Sequence, residues 1–282
     1  MLQLSREDCV RLKNSADVAQ RIEDKWVRKF EDAISSAAAR SVEPLSVGKS
    51  PVVPDFENLL IRHYFETQIA ALTLAEKERE LDRRQRLSAK PKTLSEIMRL
   101  YDRWKKKYWK PKSVAKKAER IRRQYLDAVQ RAWKKYSRPF REGEEFTQEE
   151  VKAKIQEAAK APAARAGTIV RTETTRYYND ARKAYYDAST DVTHYLFIAI
   201  RDKATTKWCT ASTTGGKRGR SGLVYSKDDP LLQKEKPPCH WNCRSELLPL
   251  VPHNPSHRKI IEDSSRARRS HSCYPLPVGW NQ

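Results

Sequence analysis

Between Glu76 and Arg138 the chain carries 23 Lys and Arg against 8 Asp and Glu, a net charge of +15 in 63 residues. The whole protein of 282 residues has a formal net charge of +21, so the other 219 residues hold only +6. Such a basic segment repels itself unless it is extended, helical and solvated, or neutralised by a partner. On charge alone, a nucleic acid and an acidic protein surface serve equally well.

Composition excludes several classes. Hydrophobic residues make up 38% of the chain, below the usual share of about 45–50% for globular proteins. Five cysteines are too few for a disulfide-dense scaffold. The longest fully apolar run, Tyr195 to Ile200, is far short of the ~18 residues a membrane-spanning helix needs. The opening residues, Met1 to Asp8, lack a basic segment followed by an apolar stretch, so no secretory signal is expected. These features fit a soluble, intracellular protein with an anionic partner and no membrane association.

The first half reads as amphipathic helix. Leu12, Ala16, Ala19, Ile22, Trp26, Phe30, Ala33 and Ala37 recur at steps of three and four, one apolar stripe of a 3.6-residue period. Asp55 is placed to cap a second helix to about Leu87, apolar at Phe56, Leu59, Leu60, Tyr64, Ile69 and Leu72. Thr93 with Glu96 opens a third, ending at Pro111, and Ser113 a fourth, ending at Pro139. The fourth carries Val114, Ala118, Ile121, Tyr125, Ala128, Trp133 and Tyr136 on one face. Thr147 with Glu150 forms a capping box, each residue able to satisfy a free amide at the helix start. It opens a short helix to about Ala161, where Pro162 is expected to break it, followed by another from Ala163 to Ser189.

The last third changes character. Tyr195–Ile200 reads as a buried strand, with short strands at Leu223–Tyr225 and Leu247–Leu250, and Pro249 favours an edge position. Four of the eight glycines lie between Gly215 and Gly222, and eight of the fifteen prolines from Pro230 onward. After Pro252 come three His and five Lys or Arg without periodicity, which reads as an extended tail that orders against a partner.

Three cysteines and a histidine fall between Arg201 and Pro249: Cys209, Cys239, His240 and Cys243. Soft sulfur and imidazole donors suit zinc, and Cys209, His240 and Cys243 are the candidate ligands. Adjacent Cys239 and His240 reach one ion only awkwardly. The alternatives are a hydrogen-bonded Cys/His cluster closing a small domain, or a Cys209–Cys243 disulfide, which a reducing cytosol disfavours. A Cys–His pair can also make a nucleophile, but no orienting third group is identifiable. The loop Gly215-Gly216-Lys217-Arg218-Gly219-Arg220 lacks the Gly-x4-Gly-Lys-Ser/Thr spacing of a phosphate-binding loop.

The order of these motifs resembles a known family. Arg171-Thr172-Glu173-Thr174 on a helix comes first, then a strand and Asp202-x-x-Thr205-Thr206-x-x-Cys209. A Gly-containing turn, Val224-Tyr225 and Asp229-Pro230 follow, and last Pro237-Pro238-x-His240-x-Asn242-Cys243-Arg244-Ser245. Over about residues 165–251 this is similar to the phage head-morphogenesis family, minor head proteins like protein F of phage Mu. The resemblance implies a minor component of a tailed-phage head, encoded beside the portal protein and placed at the portal vertex inside the capsid. It implies a part in head assembly and DNA passage, DNA binding in some members, and no enzyme activity through this domain. Many members carry cysteine where this chain has Ser212 and Ser245. The motif residues Arg171, Glu173, Asp202, Thr206 and Arg244 are expected to be structural, with Arg171 and Glu173 pairing with Arg244 or Asp202.

The expected architecture is α+β: a mostly α-helical N-terminal two-thirds of long amphipathic helices, then a small α+β C-terminal module with short strands and a Cys/His cluster. The domains are a helical, basic region at 1–140 facing portal and DNA, a head-morphogenesis module at 141–252, and a basic tail at 253–282. Double-stranded DNA is expected to meet Arg103, Lys105, Lys106, Lys107, Lys110, Lys112, Lys116, Lys117, Arg120, Arg122 and Arg123, without sequence preference. The partners expected are the portal protein and a major capsid or scaffolding protein. The location expected is the virion, inside the head near the portal, after synthesis in the host cytoplasm. The alternative is a zinc-dependent nucleic-acid-binding enzyme, such as a nuclease acting during packaging or genome delivery.

Overall fold

The computed structural model describes residues 6–84, 111–137, 146–199 and 224–267, with Arg99, Asp102, Thr206 and Cys209 between them. The third expected helix, apart from Arg99 and Asp102, the glycine-rich loop and Asp202 lie outside the described residues. Among the described residues, five long or medium helices, two short ones and three strands follow in the order α1 (Arg6–Arg40), α2 (Val42–Ser46), α3 (Phe56–Arg84), α4 (Pro111–Tyr136), α5 (Gln148–Asp187), β1 (His194–Ile198), β2 (Val224–Ser226), α6 (Pro230–Glu235), β3 (Glu246–Leu250) and α7 (Pro255–Ala267). The chain is a mostly helical α+β protein with one small antiparallel sheet.

Two compact units share these elements: Met1–Ile22, Glu66–Trp109 and Arg171–Gln282 form one, Glu23–Phe65 and Lys110–Val170 the other. This differs from a division into consecutive domains. Long helices cause the difference, because α1, α3 and α5 each give one segment to either unit.

The second unit is helical. Trp26, Phe30, Ile34, Phe56, Leu60, Ile121, Tyr125 and Ile155 are buried, and Phe56 stacks on Phe30 and meets Tyr125 edge-on. The connection after α2 is pinned through Ser41. Its hydroxyl donates to the Ala37 carbonyl at 2.8 Å and accepts from the Val52 amide at 2.9 Å, while the Tyr125 hydroxyl donates to the Val52 carbonyl at 2.9 Å. Asp55 caps α3 through the Asn58 amide, and Thr147 and Glu150 make the reciprocal capping box of α5. α5 does not break at Pro162 but runs through it for 40 residues. Alanines crowd both sides of that proline, and the strongest helix former offsets the one lost backbone hydrogen bond.

In the first unit β1 is the central strand, antiparallel to both neighbours in the order β2-β1-β3. Pro249 sits on the edge strand β3, opposite Tyr195. Leu196, Val224, Leu248, Leu250 and Ile260 form a buried cluster, with Leu12, Ile198 and Ile261 against it. Ile260 belongs to α7, so part of the expected extended tail is ordered helix. Asn254 starts α7 by accepting from the Ser256 amide at 3.0 Å, with Pro255 behind it, where its missing N–H costs nothing. His257 then locks the helix down: its Nε2 meets Asp8 Oδ1 at 3.0 Å and its Nδ1 accepts from the Val251 amide at 3.1 Å.

A buried ionic group ties this unit together. The Arg182 guanidinium on α5 holds both Glu78 oxygens at 3.1 and 2.8 Å and Glu246 on β3 at 3.2 Å. Ser15 of α1 donates its hydroxyl proton to Glu246, with the Tyr178 hydroxyl 3.2 Å from the same oxygen, and Tyr186 donates to Glu78. Burial lifts the Glu246 carboxyl above its ordinary range against the pull of Arg182 and Ser15. Removing one partner from a buried ion pair leaves an uncompensated charge, at a cost of about 3–5 kcal/mol. Arg182→Met is therefore expected to lose stability on that scale in urea unfolding, whereas a loss under about 1 kcal/mol would mean the group is effectively solvated.

Candidate functional site

One face of α5 carries a polar stripe at steps of three and four: Thr172, Thr175, Asn179 and Arg182. All four are buried, and each meets the segment that leads into β3. The Asn242 amide donates to Thr172 Oγ1 at 3.0 Å. Thr175 Oγ1 donates to the Cys243 carbonyl. Asn179 Nδ2 donates to the Ser245 carbonyl at 3.1 Å, and its Oδ1 accepts from the Leu247 amide at 3.0 Å. Buried backbone groups need partners, and here a helix face supplies them to residues 242–245, which precede β3, and to the start of β3 itself.

That segment turns tightly before it reaches β3. The Cys243 amide donates to the His240 carbonyl at 3.3 Å, and Asn242 takes a φ of 58°. Left-handed backbone is costly for most L-residues but open to asparagine, which accounts for the residue type there. The turn brings His240 and Cys243 to Cys209, all three buried, with donor atoms within 4.8 Å of one another. Cys209 Sγ lies 3.0 Å from His240 Nε2 and 4.0 Å from Cys243 Sγ. Thr206 fixes the other side, its Oγ1 accepting from the Cys209 amide at 3.3 Å. The Ser245 hydroxyl donates to Cys209 Sγ at 3.4 Å. Cys239, also buried, donates its thiol to the Glu235 and Lys236 carbonyls at 3.5 and 3.8 Å.

The cluster fits a metal ion. In a tetrahedron with Zn–S about 2.3 Å and Zn–N about 2.0–2.1 Å, donors stand about 3.5–3.8 Å apart, close to the separations seen. The His240 Nδ1 proton is donated to the Trp241 carbonyl at 2.8 Å, so Nε2 is the nitrogen turned to the sulfurs, and a carbonyl behind a ligating imidazole is a usual orienting contact. Burial works to lower the His240 pKa, but hydrogen bonds to Cys209 and Cys243 prevail and push it up to about 10. Contacts from Cys209 and Cys239 pull Cys243 well below the usual thiol range, while burial pushes Cys239 up. The surroundings of Cys243 thus favour its thiolate form, the form that binds a soft ion. The cysteine thiols are free, and the Cys209 and Cys243 sulfurs stand 4.0 Å apart, about twice a disulfide bond length.

The other expected site residues are placed as follows. Glu173 pairs with Arg176 of its own helix at 3.4 Å, Arg171 and Arg244 are half-buried, and Asp202 lies outside the described residues. Thr175, Asn179 and Arg182 went unread in the sequence, although a polar stripe at helical spacing was their available signal. On α4, Lys112, Lys116, Arg120, Arg122 and Arg123 are exposed and Lys117 is half-buried. Arg103, Lys105, Lys106, Lys107 and Lys110 lie outside the described residues. The exposed stripe Lys112, Lys116, Arg120, Arg123 and Lys134 lies opposite the buried stripe Val114, Ala118, Ile121, Tyr125 and Val129.

The fold and cluster define a small α+β module closed around buried Cys and His side chains and seated on one long helix. Residues 119–248 match the family model described as Phage Mu protein F like protein. The resemblance read from the motifs is shown by this match, which starts within α4, ahead of the motifs. Over this stretch the chain is similar to a family of structural phage head proteins. No curated protein and no solved structure matches the chain. No helix among the described residues is long and apolar enough to cross a membrane.

Because Asn242 needs its left-handed backbone, Asn242→Gly is expected to keep nearly full stability. Asn242→Val should lose about 1–2 kcal/mol in chemical unfolding; equal behaviour of the two variants would contradict that account.

Proposed function

We propose that the protein is a structural head component of a tailed phage, placed at the portal vertex inside the head, where it acts in head morphogenesis and in DNA packaging or ejection. The observation that carries this reading is the family match over residues 119–248, which contains the motif module and most of the basic helix α4. The match supports a head protein; portal location and DNA contact rest on the resemblance and on charge.

α4 holds nine Lys or Arg against Glu119 and Asp127. From Lys112 to Lys134 its exposed stripe spans about 33 Å at 1.5 Å per residue, about one turn of duplex DNA. Cations along one solvated face contact phosphates and read no base edges, so binding is sequence-independent and driven by counterion release. Arg122 is partly committed to Glu119 at 3.5 Å, with both ends half-exposed, and such a pair yields readily to a phosphate.

In this reading the Cys209, His240 and Cys243 cluster holds zinc as a structural ion. The chain offers soft donors and an imidazole oriented by a carbonyl. Zinc supplies a cross-link between the Cys209 segment and the His240–Cys243 turn. Burial of all three donors favours this role over the nuclease reading, because a hydrolytic zinc keeps an open position for water and substrate.

Two measurements test the reading. Lys116→Glu, Arg120→Glu and Arg123→Glu together should leave folding intact and weaken duplex binding at least about tenfold, and the wild type should show a log–log salt slope near −4 for four to five phosphates. Unchanged binding by the triple variant removes α4 as the DNA face. Co-purification with the portal protein from co-expressed components is expected, and its failure removes the portal assignment.

A further inference from the structure

The proposed zinc site has three donors within reach of one ion, and a fourth corner must be filled. We propose that Cys239 fills it, making a closed site of Cys209, Cys239, His240 and Cys243. This rests on the zinc reading above and goes further, because the fourth donor decides whether the ion is structural or open to chemistry.

Three observations carry it. Cys239 and His240 are consecutive, and in extended chain their side chains would diverge to opposite faces. Here both are buried, at 1% and 8% exposure, while the next residue, Trp241, is 50% exposed. The backbone therefore turns both potential donors inward at the same place. Next, the Cys239 thiol lies in the neighbourhood of the Cys209 and Cys243 thiols, just outside the three donors that fall within 4.8 Å of one another. It donates to the carbonyls of Glu235 and Lys236, at 3.5 and 3.8 Å, long contacts that a thiol gives up cheaply. Last, the competing oxygen donor is committed elsewhere: the Ser245 hydroxyl donates to Cys209 Sγ, which is how a group behind a ligand behaves. A side-chain rotation at Cys239 completes three sulfurs and one nitrogen, a donor set common in structural zinc sites. On binding, the cysteine ligands give up their protons, the ion takes the thiolates, and no oxidant or reductant is needed.

The consequence is a staple. The ion joins the Thr206–Cys209 segment to the Cys239–Cys243 turn, which α5 holds through Thr172 and Thr175. A closed site leaves no position for water, so this protein would not use the ion for hydrolysis.

The test uses the full-length protein loaded with zinc, and with cobalt as a spectroscopic substitute. X-ray absorption at the zinc edge is expected to count three sulfurs to one nitrogen. In the cobalt form, Cys239→Ser should lower thiolate-to-metal charge-transfer intensity by about a third and weaken metal binding at least about tenfold. One bound zinc with two sulfurs and an added oxygen donor in the wild type overturns the assignment of Cys239 while the zinc reading stands. Protein that binds no zinc overturns both. The sulfur count needs no variant, so poor folding of Cys239→Ser does not decide the question.

Discussion

The contact between the polar stripe of α5 and the segment from Asn242 to Leu247 is the interaction on which the rest depends. An irregular chain that enters a buried place must find partners for its amides and carbonyls, and unpaired groups cost about 1–3 kcal/mol each. Thr172, Thr175 and Asn179 supply those partners at successive turns of one helix. Arg182 continues the same stripe and takes the Glu246 side chain. Once this segment is fixed, β3 is aimed at β1, and the turn before it carries His240 and Cys243 to Cys209. The Cys/His cluster is thus a product of helix geometry at a distance, and a metal would reinforce an arrangement the hydrogen bonds already favour.

The same helix accounts for how little sheet the module needs. β1 has five residues and β2 three, too few to be stable alone. Side chains bind the sheet to its surroundings: the Tyr195 hydroxyl donates to Asp187 at 2.7 Å, the Tyr225 hydroxyl to Glu235 at 2.5 Å, and Lys236 pairs with Asp180 at 2.6 Å. α7 covers the apolar side with Ile260 and is held by the buried Asp8–His257 contact. Each strand is therefore tied to a helix, β1 to α5 through Tyr195, β2 to α6 through Tyr225 and β3 to α5 through Glu246 and Leu247.

Much of this was legible in the sequence. The apolar stripes of α1, α3 and α4 found the buried faces because one face of each helix is dry, and the caps at Asp55 and Thr147 stand as read. The three metal-ligating candidates were legible because soft donors crowd one window. Other features were hidden for physical reasons. Pro162 looked like a break because local rules weigh one lost hydrogen bond and not the 40-residue helix around it. Ile69 fell on an apolar stripe yet is exposed. α7 was missed because His257 and its charged neighbours read as tail, although Asn254-Pro255 is a helix start. Arg182 was invisible as a buried cation because its partners, Glu78 and Glu246, lie 104 and 64 residues away.

The central claim is that α5 pins the segment before β3. Native-state hydrogen exchange of the full-length protein tests it directly at the Asn242 and Leu247 amides, whose acceptors are Thr172 Oγ1 and Asn179 Oδ1. Both amides are predicted to exchange only through global opening, at the slow rate of the β1 amides. Exchange at the rate of solvated loop amides would contradict the claim, because the stripe would then not be holding the turn that builds the site.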